Sequence, residues 1–293
     1  TFRKAPLHTE YDLSPIQQGI YIQTILDGSG FAYHMPGAFV LKKEPDRERL
    51  TAAFAQLIRE DAILRTAYVQ EAGKIYARVA EEVAFEVEHL TADDFAGACE
   101  AFLRPFDLER APLIRAALWK SDKEEWYLFV DVHHIIGDGL STPLLLKRLD
   151  KAYGGETIRT EGNYYDYLYT VETSANQETG NAGQDLDYWV NHLQELPEPL
   201  VLPADHVRPK RFDYQGKEYE LMLPEAESEA CANYCREKGI SEYVLFLAAF
   251  GILLSQISGR EDFVIGTPVA GRRFPQTGEI CGPFINTLPL RIR

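Results

Sequence analysis

The chain has 293 residues, 45% hydrophobic and 26% charged, with 30 Lys and Arg against 45 Asp and Glu for a formal net charge of −15. This composition is globular and can bury a sizeable core, which excludes disordered, collagen-like and coiled-coil chains. The acidic balance argues against a nucleic-acid surface, and no apolar run reaches the roughly 18 residues of a membrane span.

In chain order, Ser14 is a good N-cap, Pro15 suits the first helical position and Gln17 completes a capping box, so a helix opens here. Residues 38–41 (AFVL) read as strand, and Asp46 caps a helix carrying Leu50, Phe54, Leu57 and Ile58 on one face. Short strands follow at 66–69, 74–79 and 84–89, then a helix at 92–103. The clearest strands of the first half are 113–119 and 125–133, joined by the charged turn Ser121-Asp-Lys-Glu124. An amphipathic, Ser141-capped helix over 141–153 ends at Gly154-Gly155. The polar run 173–184, with two glycines and no large apolar residue, is the strongest linker signal. Beyond it lie an aromatic helix (187–196), a proline-rich loop (197–209), a strand (216–223) and a helix (225–238). A buried helix capped by Ser241 (242–257), a strand (262–265) and a strand-like end at 286–293 complete the pattern. The fold class is α/β on both sides of the linker. The chain opens without Met and stops in mid-strand, so it is expected to be a piece of a longer polypeptide.

The chemistry concentrates at one place. Of seven histidines, His133 and His134 are adjacent, at the end of a hydrophobic strand and just before Ile135-Ile-Gly-Asp-Gly139 and a helix. Alternation along a strand sends neighbours to opposite faces, so one histidine faces the core and the other a cleft. Asp138, in a tight turn between two glycines, is placed to hold an arginine or a histidine. The competing reading is a buried, hydrogen-bonded histidine pair with a purely structural role. Cys99, Cys231, Cys235 and Cys281 form no CxxC pair and read as free cytosolic thiols. No P-loop, Rossmann glycine pattern, HExxH, Cys/His cluster or GxSxG elbow is present. ATP, NAD, a catalytic metal and a covalent acyl-enzyme are therefore unsupported, and direct transfer between two bound substrates is preferred.

His133-His134-Ile135-Ile136-Gly137-Asp138-Gly139 resembles the HHxxxDG signature of the condensation domains of nonribosomal peptide synthetases. These belong to the acyltransferase superfamily that includes chloramphenicol acetyltransferase. Leu13-Ser-Pro-Ile-Gln-Gln-Gly19 resembles the family's opening motif, and Leu64-Arg65-Thr66 the end of the second, with Asp61-Ala62 where the family often has His-Glu. Tyr164-Tyr-Asp-Tyr167 resembles the motif after the His-His region. Ile265-Gly-Thr-Pro-Val-Ala-Gly-Arg272 and Gly282-Pro-Phe-Ile-Asn-Thr287 resemble the glycine-rich segments of the second lobe. The resemblance covers essentially the whole chain and lacks the family's last two motifs.

It implies two chloramphenicol acetyltransferase-like lobes, 1–175 and 185–293, in a V-shaped arrangement with His134 near the cleft and the second lobe incomplete. It implies an acyltransferase that joins a donor acyl group, carried as a thioester, to an acceptor amine on a second carrier, in secondary metabolism such as antibiotic biosynthesis. His134 is then the catalytic residue, as general base or as a hydrogen-bonding orienter, since an imidazole titrating near ~6.5 is mostly neutral at physiological pH. His133 is structural, Asp138 an ion-pair partner that fixes the loop, and Gly139 allows close approach for want of a Cβ. Arg65 and Arg272 lie in resembling motifs, and each is a candidate partner for Asp138. Ser14, Gln17 and Asn286 read as cap or turn residues, and the Tyr164–Tyr169 cluster as helix packing. No cofactor or metal is expected in the domain itself; 4′-phosphopantetheine arrives on donor and acceptor carrier proteins. Adenylation domains are expected neighbours, the location is cytoplasmic, and neither nucleic acid nor membrane is a partner. Met35-Pro36 and Leu64-Arg65-Thr66 lean towards peptide-extending domains with an L-configured donor. The alternatives are an epimerising or stand-alone acyltransferase relative, and a catalytically silent docking module.

Overall fold

A computed structural model of the chain describes residues 2–6, 8–175, 181–207 and 216–293. Strand β1 (Glu10–Asp12) leads to α1 (Pro15–Leu26), where Ser14 Oγ accepts from Gln17 N and Gln17 Oε1 accepts from Ser14 N, the reciprocal pair of the capping box. Then come β2 (His34–Leu41) and α2 (Arg47–Glu60), whose Asp46 carboxylate accepts from Arg49 N and whose apolar stripe buries Leu50, Phe54, Leu57 and Ile58. Strands β3 (Thr66–Glu71), β4 (Lys74–Val79) and the two-residue β5 (Glu88–His89) follow. Helix α3 (Phe95–Phe102) starts later than its pattern suggests because Asp94, accepting from Gly97 N, is its cap. Strands β6 (Ile114–Lys120) and β7 (Trp126–His133) precede α4 (Ser141–Tyr153) and α5 (Tyr164–Ala175). The remaining elements are α6 (Asn181–His192), α7 (Glu225–Lys238), α8 (Glu242–Ser258), β8 (Phe263–Val269) and β9 (Asn286–Ile292).

The chain divides into two compact units, 1–179 with 269–286, and 180–268 with 287–293. The first boundary falls within 173–184, the run expected to be a linker; its described residues are the end of α5 and the start of α6, and 176–180 lie outside the described residues. Segment 269–286, expected in the second lobe from its place in the chain, groups with the first unit.

In the first unit an antiparallel sheet runs β1-β4-β3, and a second runs β2-β7-β6-β5 with only the β5–β6 pair parallel. Interior strands must be apolar on both faces, and β6 and β7 are buried over nearly their whole length. Helices α2 and α4 pack together. Phe54, Leu57, Ile63, Tyr68, Leu113 and Ile135 belong to the fully buried centre of the core.

The second unit contains α6, α7, α8 and the β8–β9 pair. Two expectations fail here. Residues 216–223 alternate like a strand but join no sheet, because alternation without a partner edge makes no ladder. Helix α8 starts at its Ser241 cap as expected, yet it is not buried: Tyr243, Phe246, Phe250, Ile252 and Leu253 are exposed and only Gly251 and Leu254 are covered. An all-round apolar helix needs partners on every side, and the described elements of this unit cover one stripe. Among the described residues no single helix is long and apolar enough to cross a membrane.

Candidate active site

Strand β7 delivers both histidines. It is hydrogen-bonded to β2 on one side and β6 on the other, so its end is held in the middle of a sheet. His133 closes the strand, is 1% exposed and donates its N–H to Leu113 O at 2.9 Å. The chain then leaves the sheet in a single 3-10 turn, His134–Ile136. The two rings are thus separated by a change of backbone direction and not by the strand alternation expected from sequence.

His133 is locked in one protonation state. Its Nδ1 accepts from Ile135 N at 3.2 Å, which requires a bare nitrogen. Its Nε2 lies 3.5 Å from Thr24 Oγ1, whose own proton goes to Ile20 O at 2.8 Å, so Nε2 is the donor. Burial, then the neighbouring His34, His134 and Arg115, push the His133 pKa down to about 3. His34 sits opposite His133 in the β2–β7 register, with its Nδ1 2.7 Å from the Asp131 carboxylate. An unfolded imidazole titrates near ~6.5, so below that pH the unfolded chain binds a proton that the folded chain refuses down to about 3. Stability from this group therefore falls as pH drops through that window, by at most ~1.4 kcal/mol per pH unit. The expected outcome is a flatter dependence of the urea midpoint on pH for His133→Gln than for wild type between about pH 4 and pH 7.

His134 is held differently. Its N–H donates to Tyr33 O at 2.8 Å, and its carbonyl accepts from Gly137 N at 3.4 Å. Its half-buried ring stands edge-on to Tyr33, and its Nδ1 is buried with no hydrogen-bond partner among the described residues. The backbone is fixed while the ring is left without a lock of its own.

Asp138 is a structural hub. Its Oδ1 accepts from Leu140 N at 3.2 Å, Ser141 N at 2.9 Å, Ser141 Oγ at 2.8 Å and Arg272 Nη2 at 2.8 Å, and its Oδ2 accepts from Phe284 N at 3.1 Å. It therefore serves the start of α4, where a carboxylate is also favoured by the helix dipole. Ser141, expected as the cap, is the first helical residue and instead bridges to Arg272 and to Gly282 N, the latter at 3.2 Å.

Of the two candidate arginines, Arg272 meets Asp138. Its Nη1 reaches Thr277 O and Ile280 O, and its guanidinium lies over the Phe284 ring, 4.2 Å from the centroid. Arg65 instead donates to Ala80 O and takes no part in the Asp138 cluster. Gly271 has φ +64°, and a Cβ there would stand 1.9 Å from Phe284 O, so only glycine fits beside this arginine. Gly139 shows no such need: a Cβ would meet nothing within 4 Å. Asp61, at the departure from the family pattern, is buried; its Oδ2 accepts from Arg148 Nη1 at 3.1 Å and Cys281 N at 3.4 Å. Burial raises its pKa, outweighing the opposing pull of Arg148.

Tyr164 and Tyr165 are core residues, in line with a packing role. The Tyr164 hydroxyl lies 3.1 Å from Ser14 Oγ and 3.2 Å from Pro283 O, and Tyr165 Oη lies 2.8 Å from Thr66 Oγ1. Among the described residues no group of three or more His, Cys, Asp or Glu could hold a metal ion, and all four cysteines are free. Gln17 does more than cap α1: its Nε2 donates to Tyr68 Oη at 2.9 Å and to Ile135 O at 3.2 Å. Tyr68 carries no sequence signal beyond a strand aromatic, whereas a Gln at position 17, unlike Glu, has two N–H groups to spend beyond the cap.

Comparisons with known proteins identify the family. The condensation-domain family pattern matches residues 7–293. The chain is 37% identical over 289 residues to a plipastatin synthase polypeptide of Bacillus subtilis (strain 168), covering 97% of this chain and 11% of that protein. It is 34% identical over 283 residues to bacitracin synthase 3 of Bacillus licheniformis, covering 96% of this chain and 4% of that one. The chain thus spans about a tenth or less of the length of such relatives. Among solved structures, the X-domain from teicoplanin biosynthesis superposes with a TM-score of 0.84 at 22% identity, over 98% of this chain and 66% of that one. The first condensation domain of the calcium-dependent antibiotic synthetase, in complex with a substrate analogue, gives 0.78 at 20% identity over 96% and 69%. These likenesses show the chloramphenicol acetyltransferase-like α/β fold. With the match running almost end to end, the chain belongs to the condensation-domain family.

Proposed function

We propose that this chain is the peptide-bond-forming part of a nonribosomal peptide synthetase, joining a carrier-bound donor thioester to a carrier-bound acceptor amine. The acceptor nitrogen forms the new C–N bond, the C–S bond breaks, and the proton lost by the amine ends on the departing pantetheine thiol. One observation carries the reading: His134 sits on a fixed turn, half-buried, with ring capacity unspent, while its neighbour His133 is sealed in the core. A positioned imidazole is suited to orient the amine or take its proton. His133 and Asp138 are scaffold in this reading, Arg272 anchors Asp138, and Arg65 ties the chain before β3 to Ala80. The domain binds no cofactor of its own; 4′-phosphopantetheine comes on donor and acceptor carriers, with adenylation domains as neighbours in a cytoplasmic assembly. An L-configured donor is the favoured subtype, supported by the likeness of Met35-Pro36 and Leu64-Arg65-Thr66 to peptide-extending domains.

The test uses the intact polypeptide with donor carrier alone and then with both carriers loaded. Condensation requires both, and yields dipeptidyl-carrier. Inversion of the donor residue with one carrier alone would mark an epimerising relative, and neither reaction would mark a silent docking module.

A further inference from the structure

The residue after His134 is anchored more firmly than a 3-10 turn requires. Ile135 is fully buried, and its carbonyl accepts from Gln17 Nε2 at 3.2 Å and from Tyr68 Oη at 3.1 Å. The two donors come from different elements, α1 and β3, and both side chains are fully buried.

Neither donor has freedom left. Gln17 Oε1 is taken by Ser14 N in the capping box, so the amide cannot flip, and its two N–H groups go to Tyr68 Oη at 2.9 Å and to Ile135 O. Tyr68 Oη, already accepting from Gln17, gives its single proton to Ile135 O. Burial, and then Tyr165 and Tyr164 nearby, hold the Tyr68 hydroxyl well above its ordinary pKa, which keeps it a donor. On its other side Ile135 donates its N–H to His133 Nδ1. Both polar groups of Ile135 are thus spent on side chains.

We propose that Gln17 and Tyr68 are positioning residues for His134: they clamp the Ile135 carbonyl and thereby fix the turn that aims the preceding imidazole. This rests on the reading of His134 as the catalytic residue. A ring with no hydrogen bond at Nδ1 takes its direction from its backbone and its packing, and a misplacement of about 1 Å can cost ~10²-fold in rate. The cap of α1 and the geometry of the site are therefore one device, with Gln17 in both.

Tyr68→Phe removes one hydroxyl and keeps the ring. In the intact polypeptide it should lower kcat by about tenfold to a hundredfold with KM for both loaded carriers unchanged. The ring ¹⁵N signals of His134 should shift with it. Gln17→Glu is the second variant; it keeps the acceptor of the capping box but loses the N–H donors to Ile135 O and Tyr68 Oη, and should do the same. Tyr153→Phe, whose hydroxyl accepts from Asp46 N at the cap of α2, should lower stability and keep kcat. In a His134→Ala background Tyr68→Phe should lower the residual rate no further. The proposal is overturned if Tyr68→Phe lowers the melting temperature but leaves kcat and the His134 ring signals at wild type, or if its rate loss persists undiminished without His134. The ring signals need no turnover, so a wild-type protein that forms no amide would defeat the functional reading separately.

Discussion

His134→Ala should lose amide formation by about 10²–10⁴-fold while melting close to wild type. The size of the rate loss is that of removing an imidazole that orients the amine or takes its proton. The small cost in stability follows from the ring's surroundings: it is half-buried, its Nδ1 has no partner among the described residues, and the backbone bonds to Tyr33 and Gly137 survive truncation. His133→Ala should behave in the opposite way. It leaves Ile135 N unsatisfied in the core, a loss of ~1–3 kcal/mol before the cavity is counted. Steady-state rates and thermal melts of the two variants, side by side, check the assignment. Near-normal turnover in His134→Ala, with a rate loss in folded His133→Ala, would reverse it.

Asp138→Ala should be the most destabilising change at the site, at about 3–5 kcal/mol, because it strands a buried guanidinium. The Asp138 and Arg272 side chains are 2% and 9% exposed, so solvent replaces little of what is lost. Asp138 also ties three segments together: the turn before α4, Arg272 and the peptide at Phe284. Activity should therefore fall through displacement of the turn carrying His134. Asp138→Asn keeps the shape, loses the charge and should show a milder version of both effects. The double variant with Arg272→Ala should recover part of the stability by coupling, of order ~0.5–3 kcal/mol, without recovering the rate. The pair Asp138→Ala with Arg65→Ala should be additive, since Arg65 binds Ala80 O instead. Urea melts and single-turnover rates separate these cases. An Asp138→Asn protein that melts like wild type, does not turn over and has a shifted pH–rate profile would make Asp138 a proton-transfer residue.

Local chemistry was the most legible part of the fold. Ser14, Asp46 and Ser241 cap helices where their spacing places them, because a cap needs only groups within one turn. The α7 limits were readable for a related reason, with Gly239 in the left-handed region at its end. The exposure of α8 was not legible, since apolar composition records what a helix needs and not what covers it. Residues 216–223 failed likewise: a strand is defined by its partner. At the site an arginine partner for Asp138 was expected from the motifs, but the choice between Arg272 and Arg65 was not legible. Both lie in motifs, and only the path of 271–284 brings one of them to Asp138. The clamp on Ile135 was invisible for a further reason. Its acceptor is a backbone carbonyl, which every residue has, and its donors stand 118 and 67 residues away.

The central claim, that His134 drives amide formation, is tested most directly by the intact mass of the acceptor carrier after incubation with a loaded donor carrier, wild-type protein beside His134→Ala. The wild-type protein should add the donor acyl group to the acceptor carrier and leave the donor pantetheine as free thiol, while His134→Ala leaves both carriers as loaded over the same time. Acyl transfer by His134→Ala at the wild-type rate, or no transfer by a folded wild-type protein, would contradict it.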